Sequence, residues 1–256
     1  MNRPLLAILS VLAAAAAPAL AGQPAPGGVP TTAADPDATC VVGMGMVIAG
    51  PGSDPSFMGT EHAAAVDTMH QALAFFGGRV TQRHEGVALE RAILDAYRAM
   101  PRNRWLGEGA RCMDEFAAAG PTLGQELERA LEAVGIPRDR PEPRTPADAA
   151  SLDPDLACIA VIVQMQRRVA QMGSAAPAGA THMLANGRAF FVARAMARLP
   201  QETRGGQLAT TLRSVRDDQA ELVYNQCRGR LTAEMNRLGR ASRAAGTQDE
   251  PAVPGR

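Results

Sequence analysis

Four cysteines and four histidines are the side chains of this 256-residue chain best suited to redox, metal or nucleophilic chemistry. Cys40, Cys112, Cys158 and Cys227 form no C-x-x-C pair, and no histidine lies within five residues of any of them. Thiol-redox and Cys/His zinc motifs therefore find no support, whereas an even count suits structural disulfides in an oxidising compartment. His62 and His70 share one helical face, with Asp67 three residues before His70, but Val66 stands where an i, i+4 histidine pair would need its second ligand. His84-Glu85 begins like a zinc-protease helix and continues Gly-Val-Ala, so the second histidine is missing. His182 stands alone. Ser53, in "GPGSDP", lacks the G-x-S-x-G elbow. Gly43-Met-Gly45 lacks the last small residue of a dinucleotide fingerprint, because Ile48 holds that place. The histidines read as surface or partly buried polar groups. No catalytic residue, metal or cofactor is expected.

Arginine is the remaining candidate. All 26 basic residues are arginine, which excludes Schiff-base chemistry, a lysine general base and a P-loop lysine. Acidic residues also number 26, so the whole chain favours no nucleic acid. Arg194 and Arg198 follow a Phe-Phe pair at a spacing of four and share a helical face. Such a pair can hold an anion, or it can bind acids of a neighbouring helix. The structural role is the expected one.

The elements that would carry these groups are helical and occur twice. A shift of 115 residues brings Ala74-Phe75-Phe76 onto Ala189-Phe190-Phe191, Arg79 onto Arg194, Arg83 onto Arg198 and Cys112 onto Cys227. Cys40 and Cys158 align after a three-residue gap. The expectation is an all-α tandem repeat of two disulfide-stapled modules of about four helices each, 38–136 and 154–245. The pairing Cys40–Cys112 and Cys158–Cys227 follows from it, since each module can then fold as its own unit. Closing a loop of about 70 residues this way is worth roughly 4 kcal/mol. Leu89, Ile93, Tyr97 and Met100 form one helical stripe, and Tyr224, Cys227, Leu231, Met235 and Leu238 another. Thr122 and Gln125 stand in capping-box spacing ahead of a third. Residues 1–21 read as a secretory signal peptide, with Arg3, an apolar run from Leu5 to Ala17 and the small-x-small site Ala19-Leu20-Ala21. Segments 22–37 and 246–256 are expected to be disordered, and the proline-rich 137–153 to be a linker. After the signal, the best apolar run, "LACIAVIV" at 156–163, is too short for a membrane span and fits a buried helix.

The two modules differ in charge. Between 38 and 136 there are 8 arginines against 12 acids; between 154 and 245 there are 13 against 6. Opposite signs suit attraction between the modules, or a basic second module docking an anionic partner. The stretches "ARCMDEFAAAGPTLGQELERAL" and "NQCRGRLTAEMNRLGRASRA", each preceded by a Phe-Phe…Arg segment, resemble small exported helical proteins of alphaproteobacteria. Those carry one such module, and the resemblance implies fold and compartment without an activity. The expectation is a periplasmic or secreted protein acting as a non-enzymatic interaction or stress-protection module. Its partner would be an unknown protein or an anionic envelope component. The alternative is a periplasmic hydrolase or metal-dependent enzyme with its site between the modules.

Overall fold

The tripeptide Asp-Pro-Asp opens both halves of the folded chain. A computed structural model describes residues 34–50, 54, 62–134, 152–215 and 219–248, and in it Asp35 and Asp153 are helix N-caps. The Asp35 carboxylate accepts from the N–H groups of Asp37 and Ala38 at 2.9 and 3.1 Å. Asp153 accepts from those of Asp155 and Leu156 at the same two distances. Pro36 and Pro154 occupy the first helical turn, where a missing N–H costs nothing. These signals start α1 (Pro36–Ala49) and α5 (Pro154–Met172). Composition places residues 35–37 in a disordered tail and Asp153 in a linker; both belong to the helical fold, because a capped Asp-Pro start nucleates a helix that the surrounding Gly, Pro and Ala conceal. The expected signal peptide 1–21, most of the expected tails and linker, and Ser53 lie outside the described residues.

Six further α-helices follow: α2 (His62–Arg83), α3 (Gly86–Ala99), α4 (Trp105–Val134), α6 (Ala180–Arg198), α7 (Gln201–Ser214) and α8 (Ala220–Gln248). All regular structure among the described residues is helical, with short 3-10 turns at Arg102–Arg104 and Gly173–Ala175. Among the described residues each half thus has four α-helices and one disulfide. Cys40–Cys112 ties α1 to α4, and Cys158–Cys227 ties α5 to α8, both with Cα atoms 5.5 Å apart. The pairing is the expected one, and all four cysteines are buried. No described helix is long and apolar enough to cross a membrane; Leu156–Val163 lies on α5 in the interior.

Two expected boundaries give way to packing. Thr122 does not open a helix, since α4 runs unbroken from Trp105 through Pro121 to Val134. Contacts along both ends of α4 outweigh the roughly 3 kcal/mol that an interior proline costs. In the second half α8 continues past Ala245 to Gln248, because Ala245 is itself packed into the core.

The halves do not keep separate cores. Leu238, Ala241 and Ala245 of α8, with Ala193 of α6, pack among the buried residues of the first half. Ala74 of α2 and Ala130 of α4 pack among those of the second. The long helices are therefore exchanged: α4 reaches α7, and α8 reaches α3. Between these two exchanges lies the most extensive helix contact in the molecule, α2 against α6. Phe75, Phe76, Phe190 and Phe191 are all fully buried on these two helices, each adjacent pair edge to face with ring centroids 5.2 Å apart. Full burial of each ring stabilises by about 1.5–3 kcal/mol.

The crossing needs Gly78. A Cβ there would sit 2.3 Å from the Phe190 carbonyl oxygen, so the helix backbones touch. Alanine cannot be accommodated by a side-chain shift, because the obstacle is main chain. Gly45, inside α1, has nothing within 4 Å of its Cβ position. Gly78→Ala should cost about 3 kcal/mol, whereas Gly45→Ala should gain about 0.5–1 kcal/mol from reduced chain entropy. Thermal melts should move in opposite directions, at roughly 2–4 °C per kcal/mol. A neutral Gly78→Ala would show that α2 and α6 do not meet in this way.

Candidate functional site

Two constellations bring titratable groups together. The first grows from the second aspartate of each opening tripeptide. Asp37 and Asp155 sit in the first helical turn, where the helix dipole favours a negative charge, yet each is 1% exposed. A buried carboxylate needs a cation, and the Phe-Phe helices supply it from their C-terminal turns. In the first half Arg79 Nε lies 3.1 Å from Asp37, and Arg83 contacts Asp37 while also reaching Asp35 at 2.9 Å. In the second, Arg194 Nε lies 3.3 Å and Arg198 Nη2 3.2 Å from Asp155, and Arg198 also binds Asp153.

The two networks diverge at one aligned position. Glu115 of α4 binds Arg79 at 2.9 Å, and its counterpart at an offset of 115, Arg230 of α8, binds Asp155 directly at 2.8 Å. Arg111 in the first half and Arg230 in the second also reach the disulfide sulfurs, at 3.3 Å from Cys40 and 3.7 Å from Cys158. Guanidinium groups stack over the phenylalanines as well, Arg79 over Phe75 at 5.6 Å and Arg194 over Phe190 at 5.8 Å. Arg194 further donates to Thr81 of the first half at 3.1 Å.

Charges follow from this geometry. Burial pushes the Asp37 carboxyl above its ordinary range, against the pull of Arg83 and Arg79. For Asp35 and Asp153 burial acts in the same sense but is overcome. The hydrogen bonds of His84 and the Ala38 N–H hold Asp35 below its usual value, and those of Arg198 and the Leu156 N–H do so for Asp153. Arg198 is correspondingly raised, chiefly by its hydrogen bond with Asp153.

Arg194 and Arg198, the candidate anion-binding pair, thus direct their donors to Asp153 and Asp155. The aspartates are what the sequence reading missed. Their signal was present: "DPDATC" and "DPDLAC" match at 118 residues' separation, the offset that also relates Cys40 to Cys158. His84 is engaged here too, with Nε2 2.8 Å from Asp35, while Gly43 and Gly45 lie inside α1 and form no phosphate loop.

The second constellation lies where α2 crosses α6. Asp67 and His70 are three apart on α2, and His182 reaches them from α6, its Nδ1 2.9 Å from Asp67 Oδ1. The rings of His70 and His182 meet edge to face with centroids 5.4 Å apart. One ligand-type atom from each of the three residues lies within 4.8 Å of the others. Burial, and then the neighbouring His182, lower the His70 pKa. Asp67 is 56% exposed, which leaves the group open to solvent. His62 is not part of it.

Comparison with known proteins found no matching family model, no similar curated protein and no similar solved structure.

Arg194→Ala should cost about 2 kcal/mol, the worth of charge-assisted hydrogen bonds to a buried carboxylate, and lower Tm by roughly 4–8 °C. Binding to anionic vesicles at physiological salt should be unchanged; a several-fold loss with an unmoved melt would make this face an anion site. The depressed Asp153 carboxyl sets a pH dependence. Its contribution is fully present above the ordinary value of 3.8 and is lost as pH falls through the lower folded value. Asp153→Asn keeps the cap acceptor but not the charge. Melts at decreasing pH should therefore fall less steeply for this variant in the acid range; equal slopes would assign the acid sensitivity elsewhere.

Proposed function

We propose that this chain is an exported, periplasmic or secreted protein built by tandem duplication, and that it acts as a non-enzymatic interaction or stress-protection module. One observation carries the reading: all four cysteines are consumed in two buried disulfides, each joining the first and last helix of its half. Such bonds form and persist in oxidising compartments. By the chain-entropy relation, loops of 72 and 69 residues contribute about 4 kcal/mol each. Their shared placement, the shared Asp-Pro-Asp caps and the paired arginines support duplication. The signal-like residues 1–21 support export.

The arginine–aspartate networks favour a stabilising role for the most elaborate polar groups, since these groups bind one another. A surface groove of about 490 Å³ between α4 and α7 is lined by Arg129, Ala130, Gln201, Glu202, Gly205, Gly206 and Ala209. Among the described residues its lining holds no histidine, cysteine or serine. The excess of arginine in the second half supports an acidic protein or an anionic envelope component as partner. A second reading, a hydrolase or metal-dependent enzyme with its site between the halves, is favoured by the meeting of Asp67, His70 and His182 there.

The test is capture of the protein from the envelope fraction of expressing cells, with mass spectrometry of the protein and of what accompanies it. Expected are an N-terminus at Gly22, both disulfides intact, and an acidic protein or anionic lipid component in stoichiometric amount. A reduced chain retaining residues 1–21 in the cytoplasm would overturn the proposal.

A further inference from the structure

We infer that Asp67, His70 and His182 form a binding site for a divalent transition metal of the zinc class, assembled only when α2 and α6 cross. The inference rests on the cluster itself; it deepens the second reading above by naming the class of ion, and it does not depend on the first. Residues three apart on a helix project from the same face, so α2 offers a carboxylate and an imidazole side by side. The third group comes from the facing helix, 112 residues later in the chain than His70. Two imidazoles and one carboxylate are a donor set for zinc, nickel or copper; calcium and magnesium prefer oxygen alone.

Distances suit the assignment. A tetrahedral ion with bonds of about 2 Å holds its ligand atoms roughly 3.3 Å apart. The three candidate atoms lie within 4.8 Å of one another, so side-chain adjustments on the order of 1 Å close the set. Although His182 Nδ1 is only 2.9 Å from the Asp67 oxygen, it makes no aligned hydrogen bond. A nitrogen and a carboxylate oxygen so placed converge on a common point better than they face each other.

An orienting partner is also present. The Asn186 amide lies 2.9 Å from His182 Nε2, and its oxygen is buried without a partner. Turning the amide end for end lets that oxygen accept from Nε2–H. In that orientation the amide NH2 takes the place of the unpartnered oxygen, and the Nδ1 lone pair is left toward Asp67 and His70. Metal-bound histidines use their second nitrogen in this manner. Three protein ligands with the exposed Asp67 at the rim leave a fourth position to solvent, which makes the site exchangeable.

The experiment uses untagged, metal-stripped, disulfide-bonded protein, residues 22–256, titrated with Zn2+ against a chromogenic zinc indicator and followed by thermal melts. Expected are one equivalent of bound Zn2+ and a Tm that rises with Zn2+. His182→Ala and His70→Ala should each weaken binding at least tenfold and abolish the rise, while His62→Ala leaves both unchanged. Asp67→Asn, at an exposed position, should weaken binding without lowering the metal-free Tm. It keeps the test decisive if a histidine variant fails to fold. Absence of binding at micromolar free Zn2+, or equal binding by wild type, His182→Ala and Asp67→Asn, would overturn the site.

Discussion

Burying a carboxylate in the first turn of a helix is the constraint on which this structure rests. Asp37 and Asp155 lose nearly all their water, and a bare ion in that position costs several kcal/mol. Each must be met by guanidinium groups from another element. That requirement docks the C-terminal turn of the Phe-Phe helix onto the N-terminal turn of the disulfide helix in both halves. The cysteine follows three residues later on the same face, so the docked turn also presents its sulfur to α4 or α8. Arg111 and Arg230, which touch the sulfurs, join ion pair and disulfide into one unit. Arginine suits this work better than lysine, because its planar fork reaches two acceptors while its face lies on a phenylalanine ring.

Stability within each half does not make the halves independent. Their longest helices cross over, and each core is completed by residues of the other. The α2–α6 crossing brings backbone to backbone at Gly78, so small changes there are transmitted to both cores. The exchanged arrangement packs the helices of both halves against one another. It also places Asp67 and His182, which correspond at an offset of 115, face to face. His70 has Ala185 as its counterpart, so the cluster holds three groups and not four.

Charge divides the halves along similar lines. Replacing Glu115 by Arg230 at corresponding positions turns a network of acids shared among arginines into one where three arginines converge on Asp155. The basic excess of the second half is therefore partly interior, used in holding a carboxylate, and only the rest is offered to a partner.

Helical class, about four helices in each half among the described residues, both disulfides and the core-facing stripes were legible in the sequence. Period, turn residues and cysteine spacing are local or pairwise properties that do not depend on how helices cross. Leu89 and Ile93 had to be buried wherever α3 docked. The Asp-Pro-Asp starts were equally legible, as identical tripeptides at the cysteine offset, but their composition resembles a tail until the carboxylates are seen to be enclosed. The run of α4 through Pro121 was hidden for the opposite reason: tertiary contacts overrode a local stop. Only the tertiary structure decided which residues of the two halves meet. That choice is made by the crossing of α2 with α6 and by the exchange of α4 and α8, and so depends on contacts between residues distant in the chain. Asp67, His70 and His182 have no shared spacing that could reveal them, because no periodicity along one helix encodes the face of another.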